Sequence, residues 1–273
     1  MEVTCARGLT ASVTWEGTIG RSTLRQTISV SVGSPVVTFD TTIQWHELHR
    51  LLKVAFPVDV RAEHAQHEIQ FGYVERPTHR SRGYDQQRFE VCNHRYTALC
   101  DNSHGCAVLN DCKYGVGVEQ NSIELTLLRA AASPEMASDQ GEHHFRYGFT
   151  AWEGAFAESP VVLQGLAFNE PLSCLPGAAP RLSAFCADRP NVIVDTLKPA
   201  EDGSGDLIVR LYESKKADTF FHLRSGLAVA SLQLCDMLEA PVGDCLAPDA
   251  LLHVTPFQVL TLRVKAHLPQ SEM

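Results

Sequence analysis

The chain consists largely of short segments in which apolar and polar residues alternate. In TLRQTISVSV (23–32) four apolar residues fall on one side of an extended chain, namely Leu24, Ile28, Val30 and Val32. A Gly-Ser-Pro turn follows, and VVTFDTTIQW (36–45) alternates again. Two alternating segments joined by a short turn of this kind are typical of a β-hairpin with one buried face. The pattern therefore predicts such a hairpin at this point of the chain.

Similar segments continue to the C-terminus, and each predicts a strand. Before residue 170 the predicted strands are residues 51–58, 68–74, 88–96, 106–110, 123–128, 144–150 and 161–168. After residue 190 they are residues 191–197, 207–212, 219–223, 230–234, 250–254 and 257–264. No segment of the first set repeats apolar residues at helical spacing over three turns, so no long helix is predicted there.

A proline-rich stretch separates the two sets of strands. NEPLSCLPGAAPRLS (169–183) interrupts both patterns, as a linker does. The strands after it are short and closely spaced, which is typical of a small sandwich. We therefore predict an all-β protein with a large domain over residues 1–172, a linker over 173–185 and a small β-sandwich domain over 186–273.

Composition and charge narrow the class of protein. Apolar residues make up 44% of the chain and charged residues 20%, and 23 basic residues stand against 32 acidic ones. An acidic chain lacks the basic patch that nucleic acid or an anionic membrane surface requires. No run approaches the roughly 18 apolar residues of a membrane span. Neither nucleic acid nor a membrane is therefore an expected partner.

The cysteines and the N-terminus bear on the compartment. Nine cysteines are present without a C-x-x-C pair, so no metal site is predicted in this chain. Several lie in apolar runs, for example Cys92 and Cys186, which is typical of reduced, buried thiols. The opening MEVTCARGLT has neither the charged lead nor the apolar stretch of a signal peptide. These features predict a cytoplasmic protein.

Two histidine pairs resemble a zinc-protease motif without fulfilling it. That motif places two histidines four residues apart on one helical face. His46 and His49 are three apart, as are His64 and His67, and neither stretch is convincingly helical. Both are better explained as loops that lead into strands.

Two polar clusters interrupt the strand pattern, NDCKYGVGV (110–118) and SDQGEHHF (138–145). Loops with such residues at the rim of a sandwich bind sugar hydroxyls, and solvated turns with capping side chains have the same composition. A pair of carboxylates for glycoside hydrolysis could be drawn from Asp111, Asp139 and Glu142. The sequence does not give the separation of the carboxyl groups that would test this.

Five blocks within residues 45–149 occur in an order that points to a known family. They are WHELHRLLKVAFPVDV, EIQFGYVERPTHR, RFEVCNHRY, GCAVLNDCKYGVGV and SDQGEHHFRYGF. The chain resembles the C-terminal region of glycoside hydrolase family 38, and more specifically the branch with the cytosolic α-mannosidases. The resemblance implies a large galactose-mutarotase-like β-sandwich, or supersandwich, followed by a smaller β-sandwich.

The resemblance also implies a function that this chain shares with another domain. Family members are retaining α-mannosidases in which two carboxyl groups perform the catalysis and a zinc ion holds vicinal hydroxyls of the sugar. Those groups lie in an N-terminal catalytic domain, and no motif here matches them. We therefore expect no catalytic residue and no metal in this chain. The expected partners are that catalytic domain, in the same polypeptide, and mannose-containing glycans.

In the family, loops of the sandwich reach the edge of the sugar pocket. By this resemblance the DQGEHHF loop lines or braces the pocket through Asp139, Gln140, Glu142 and His143. The neighbouring NDCKYG segment supports it through Asp111, Lys113 and Tyr114. The ERPTHR segment is a third candidate, with Arg76, Thr78 and His79.

An alternative function comes from a different class of protein. The chain could be a free-standing carbohydrate-binding or aldose-epimerase-like sandwich. Epimerases of this fold use a histidine and a carboxylate as acid and base. His143 with Glu142 or Asp111 would supply such a pair.

Overall fold

The computed structural model describes residues 2–6, 9–170, 172, 173, 176 and 182–267 of the 273-residue chain. The chain divides into two compact units, Met1–Leu172 and Ser173–Met273. Most of the predicted linker, residues 173–185, lies outside the described residues. The two units are described separately below.

The first unit contains thirteen strands among its described residues. They are β1 (Glu2–Ala6), β2 (Thr10–Ile19), β3 (Ser22–Ser31), β4 (Val37–Trp45), β5 (Leu52–Pro57), β6 (His64–Ile69), β7 (Gly72–Pro77), β8 (Val91–Cys92), β9 (Tyr96–Cys100), β10 (His104–Asn110), β11 (Gly115–Glu119), β12 (Ser122–Leu128) and β13 (Gly141–Glu153). The helices are α1 (Gly83–Gln87), a 3-10 turn (Phe156–Glu158) and α2 (Val161–Asn169).

These strands form two antiparallel sheets. The larger has nine strands in the order β1-β2-β3-β4-β13-β10-β9-β6-β7, and the smaller has four in the order β5-β12-β11-β8. Apolar side chains of both sheets form one core, with Ile43, Trp45 and Phe145 from the larger sheet against Ile123 and Leu125 from the smaller. All five are at most 2% exposed. The unit is a β-sandwich, as the alternating pattern predicts.

The hairpin predicted over residues 23–45 is confirmed, because β3 and β4 pair in antiparallel register from Thr23↔Gln44 to Ser29↔Thr38. Its buried face is shorter than predicted. Val30 and Val32 lie beyond the last residue of β3 that pairs with β4, and they are 48% and 76% exposed.

The strand predicted over residues 161–168 is wrong, because this segment forms α2. The run VVLQGLAF is apolar almost throughout, so its periodicity does not separate a helix from a buried strand. The helix buries Val161, Val162 and Gly165. A Cβ on Gly165 would lie 3.4 Å from the Cδ1 of Tyr96 on β9, so glycine allows α2 to approach the large sheet closely.

Three further strand predictions merge separate elements. Residues 219–223 contain the strand Thr219–Phe221 and the first residue of the strand Leu223–Ser225, which belong to different sheets. Residues 68–74 contain the turn of the β6–β7 hairpin, and residues 88–96 contain β8 and the start of β9, which belong to different sheets. EIQFGYV (68–74) and RFEVCNHRY (88–96) mix apolar and polar residues, without a proline or a glycine pair to mark where one strand ends. An apolar run alone does not show which sheet each half joins.

The seven cysteines whose side chains are described are free thiols. Their predicted burial is wrong for most of them. Cys106 is buried, whereas Cys92, Cys112, Cys186 and Cys245 are exposed. On a strand the alternation of side chains exposes one residue in two, even within an apolar run.

The second unit contains nine strands among its described residues. They are β14 (Phe185–Ala187), β15 (Val192–Pro199), β16 (Leu207–Glu213), β17 (Thr219–Phe221), β18 (Leu223–Ser225), β19 (Ala228–Cys235), β20 (Pro241–Leu246), β21 (Leu252–Val254) and β22 (Val259–His267). A five-stranded sheet, β15-β16-β22-β19-β20, and the pairs β14-β18 and β17-β21 surround a core that includes Leu211, Phe221 and Leu262. Across the described parts of both units, neither α-helix has the length and apolar character of a bilayer crossing.

Candidate functional site

The loop predicted at DQGEHHF is confirmed for Asp139 and Gln140 and wrong for the other five residues, because β13 begins at Gly141. Along β13, Phe145 and Tyr147 point into the core between the sheets, while Glu142 and His144 are exposed. Side chains of a strand alternate between its faces. His143 therefore lies on the core side of the large sheet and Glu142 on the outer side. The candidates from residues 111–114 and 139–143 lie near the start of β13, but their side chains do not all share one face of the sheet.

Asp139 is held in the turn before β13. Its Oδ2 accepts hydrogen bonds from the backbone nitrogens of Arg129 and Ala130, both at 2.9 Å. These hydrogen bonds hold the pKa of the Asp139 carboxyl below its usual range, and the one from Ala130 contributes most. The nearby His143 and Lys113 lower this pKa further by electrostatic attraction. His143 Nε2 donates to the carbonyl oxygen of Asp139 at 2.8 Å. The carboxylate thus braces the turn, and the backbone carbonyl of Asp139 sets the position of the histidine.

Lys113 lies next to this turn, on the core side. Its Nζ lies 4.6 Å from the centroid of the buried Phe145 ring, an arrangement typical of a cation–π contact. Its backbone nitrogen donates to Asn110 Oδ1 at 2.8 Å, which fixes the turn after β10. Asp139, His143 and Lys113, hereafter the rim cluster, are therefore brought together from two segments that the sequence separates by about 25 residues.

Other predicted site residues lie on the outer face or interact elsewhere. Glu142 accepts a hydrogen bond from Gln44 Nε2. Asp111 Oδ2 accepts one from Arg146 Nε at 3.1 Å. Gln140 Nε2 donates to the carbonyl oxygen of Glu47 at 2.6 Å, so this amide secures the turn to the loop after β4.

The Asp111–Arg146 contact was missed at the sequence level. Arg146 also lies over the Phe168 ring of α2, with its guanidinium carbon 5.3 Å from the centroid. The alternation of side chains along β13 could have predicted this contact. Because the apolar Phe145 and Tyr147 face the core, Arg146 between them faces outward.

Tyr114, Arg76 and His79 are not part of the rim cluster. The Tyr114 ring is 54% exposed and meets His94 edge-on at 6.1 Å. Arg76 lies on β7, at the edge of the large sheet, and His79 follows that strand. Both line a cavity that contains no residue of the rim cluster. The predicted third loop is thus a strand end at a separate place.

The histidine pairs do not form a metal site in the described part of the chain, where no group of three potential ligands is placed to hold an ion. His67 lies buried on β6, with Nδ1 3.1 Å from Thr97 Oγ1. Burial, and then the nearby Arg76, lower the pKa of His67 to about 4. At neutral pH this imidazole is therefore uncharged.

Asp139→Ala is expected to lower the free energy of unfolding by about 1–2 kcal/mol at neutral pH, because two backbone amides lose their acceptor. The folded-state pKa is lowered, so the contribution is present above the unfolded pKa of roughly 3.9 and is lost as the pH falls through the folded value. Thermal melts between pH 7 and 3 should show the difference from the wild type shrinking below about pH 4. A difference that grows on acidification would contradict this role.

Comparisons with known proteins assign the family. Residues 1–137 match the family model described as "Glycosyl hydrolases family 38 C-terminal domain". Residues 191–262 match "Glycosyl hydrolases family 38 C-terminal beta sandwich domain". Two sandwich units with these matches define the C-terminal portion of a glycoside hydrolase. The chain belongs to glycosyl hydrolase family 38.

Curated relatives are much longer than this chain. It is 40% identical over 251 residues to "Alpha-mannosidase 2C1" of Homo sapiens, covering 88% of this chain and 24% of the relative. It is 34% identical over 256 residues to "Alpha-mannosidase G" of Dictyostelium discoideum, covering 89% and 24%. The chain thus spans about a quarter of the length of the curated relatives it matches.

Solved structures share the fold. An α-mannosidase from Enterococcus faecalis V583 superimposes with a TM-score of 0.76 at 19% identity, covering 94% of this chain and 33% of that one. A glycosyl hydrolase family 38 protein from Enterococcus faecalis gives a TM-score of 0.77 at 19% identity, covering 97% and 36%. At this identity the likeness shows the fold alone.

Proposed function

We propose that this chain is the non-catalytic β-sandwich part of a retaining α-mannosidase, which hydrolyses terminal α-mannosides in the cytoplasm. The observation that carries the proposal is the pair of matches, in order, to two C-terminal models of family 38. The names of the curated relatives, which are α-mannosidases, support the reaction. The catalytic carboxyl groups and the zinc ion belong, in this proposal, to a catalytic domain of the same polypeptide on which the sandwich packs.

The rim cluster is the part of this chain that we assign to the edge of the sugar pocket. Sugar hydroxyls both donate and accept hydrogen bonds, and a site for them combines donors with acceptors at a protein rim. Lys113 supplies an ammonium group, and His143 a ring whose Nε2 is already fixed by the Asp139 carbonyl. The exposed Tyr114 ring, next to Lys113 in sequence, offers an apolar face for a pyranose.

The epimerase alternative receives no support from the geometry. An acid–base pair for ring opening needs a histidine and a carboxylate that reach the same sugar. His143 and Glu142 lie on opposite faces of the sheet, and Asp111 is bound to Arg146 on the outer face. Polarimetry with free aldoses should accordingly show no acceleration of mutarotation by the chain.

The proposal is tested by a chimera. The chain replaces the matching 251-residue segment of human alpha-mannosidase 2C1, and hydrolysis of an aryl α-mannoside is measured for the chimera and for the chain alone. We expect the chimera to hydrolyse the glycoside and the chain alone to be inert. Hydrolysis by the chain alone that is lost with His143→Ala would overturn the non-catalytic assignment. A folded but inactive chimera would count against the assignment to an α-mannosidase.

A further inference from the structure

A small polar cavity lies in the first unit, between the β7 edge of the large sheet and the smaller sheet. Its volume is about 70 Å³, and its lining includes His67, Arg76, His79, Asp85 and Arg88, with Val91 and Val118 from the smaller sheet. The cavity contains no residue of the rim cluster, so a ligand bound there would not use the residues that we assign to the sugar pocket.

Two polar groups of the lining are buried without a hydrogen-bond partner in the described part of the protein. Asp85 is only 5% exposed, and one of its oxygens, Oδ2, accepts from the backbone nitrogen of Arg82 at 2.9 Å. The other oxygen, Oδ1, has no partner, and neither has the buried Nε of Arg76. Buried polar groups are nearly always hydrogen-bonded, and each unsatisfied one requires an explanation. A bound ligand that donates a hydrogen bond to Asp85 Oδ1 and accepts one from Arg76 Nε would satisfy both groups.

The cations of the cavity are available for an anion. Arg80 and Glu75 also line the cavity. Arg80 pairs with Glu119 at 2.9 Å, and Glu75 has an interaction of its own. In contrast, neither Arg76 nor Arg88 has a carboxylate of the described residues within ion-pair distance. Arg88 lies over the Tyr84 ring, 5.1 Å from its centroid. Two guanidinium groups without carboxylate partners at one concave site are typical of oxyanion recognition.

The volume of the cavity and the unpaired Asp85 Oδ1 indicate which oxyanion fits. The volume is well below the roughly 300 Å³ at which pockets for drug-sized molecules begin, so a tetrahedral ion suits it better than a sugar ring. The Asp85 oxygen needs a donor. Hydrogen phosphate carries a P–OH group at neutral pH, whereas sulfate carries none.

We propose that this cavity binds inorganic phosphate, with Arg76 and Arg88 holding the charge and Asp85 accepting the P–OH proton. In this proposal Arg76 Nε and the terminal guanidinium nitrogens of Arg76 donate to phosphate oxygens, and His79 also lines the cavity. A phosphate monoester offers the same charge, but its second pKa of about 6 leaves it without a P–OH group in weakly alkaline solution. The free ion is therefore the preferred source of the phosphate group.

The test is calorimetric titration of the full chain at pH 8 with phosphate, sulfate and glycerol phosphate. We expect saturable binding of phosphate and at least about tenfold weaker binding of the other two, since each loses the hydrogen bond to Asp85. No binding of phosphate at millimolar concentration would overturn the proposal. Equal affinity for phosphate and sulfate, or a tighter ester, would overturn it as well.

Substitutions in the lining of the cavity test the role of each residue in phosphate binding. Arg76→Gln and Arg88→Gln should each weaken phosphate binding about tenfold or more. Asp85→Asn keeps an acceptor for Arg82 and offers an amide donor, so it should bring sulfate to the affinity of phosphate. Arg25→Gln removes an exposed arginine of the same unit and should leave the affinity unchanged. If one of the two arginine variants does not fold, the other still tests the site. Unchanged phosphate binding in a folded Arg76→Gln or Arg88→Gln variant would refute the site.

Discussion

Replacing Glu68 by alanine is expected to lower the free energy of unfolding by about 3 kcal/mol. Glu68 lies on β6 and is 2% exposed. Its Oε1 accepts from Arg95 Nε at 2.7 Å, and its Oε2 accepts from the backbone nitrogen of Arg95 at 2.6 Å. The variant removes the Glu68 acceptor from a partly buried guanidinium and from a backbone donor, which costs more than the ion pair itself contributes. Urea denaturation of the chain measures the change.

The matched control is Glu16→Ala. Glu16 pairs with Arg25 at 3.8 Å, and both side chains are more than 60% exposed. Exposed pairs contribute little, so the free energy of unfolding should change by less than about 0.5 kcal/mol. Equal effects of the two substitutions would show that burial does not set the strength of the Glu68 pair.

The strands predicted well are those with a clear two-residue period. The β3–β4 hairpin follows from alternation alone, because one face of each strand is apolar. Strands that begin with polar residues on both faces are harder. Glu142 and His143 extend β13 before the apolar Phe145, so the pattern there does not distinguish a strand from a loop. α2 fails for the opposite reason, because its residues are apolar on every side.

The candidate site could be predicted in part. The sequence identifies two polar segments, and the sandwich brings Lys113 next to Asp139 at one end. What the sequence does not give is the face on which each side chain lies, since a shift of one residue reverses it. The cavity proposed to bind phosphate could not be predicted from the sequence, for a different reason. Arg76, Asp85 and Val118 meet there only because distant strands pair and the sheets pack, and no local pattern records that.

In the chimera with the human enzyme, Lys113→Met is expected to lower kcat/KM about tenfold or more. The ammonium of Lys113 is assigned to a sugar hydroxyl, and losing one such contact costs on the order of 1–3 kcal/mol of transition-state binding. Methionine keeps an apolar stem over the Phe145 ring. The free energy of unfolding should therefore fall by no more than about 1 kcal/mol, the usual size of the cation–π contact that is lost. Steady-state kinetics and a urea titration on the same preparation separate the two effects.

His143→Ala should act in the same direction, because His143 and Lys113 share the core-side end of the sandwich. Glu142→Ala provides the control from the same strand end, since its side chain lies on the outer face and contacts Gln44. We expect that variant to retain the activity of the unmodified chimera. The assignment of the rim cluster fails if Glu142→Ala lowers kcat/KM as much as Lys113→Met. It also fails if Lys113→Met loses stability while its specific activity is unchanged, because Lys113 would then serve the fold and not the sugar.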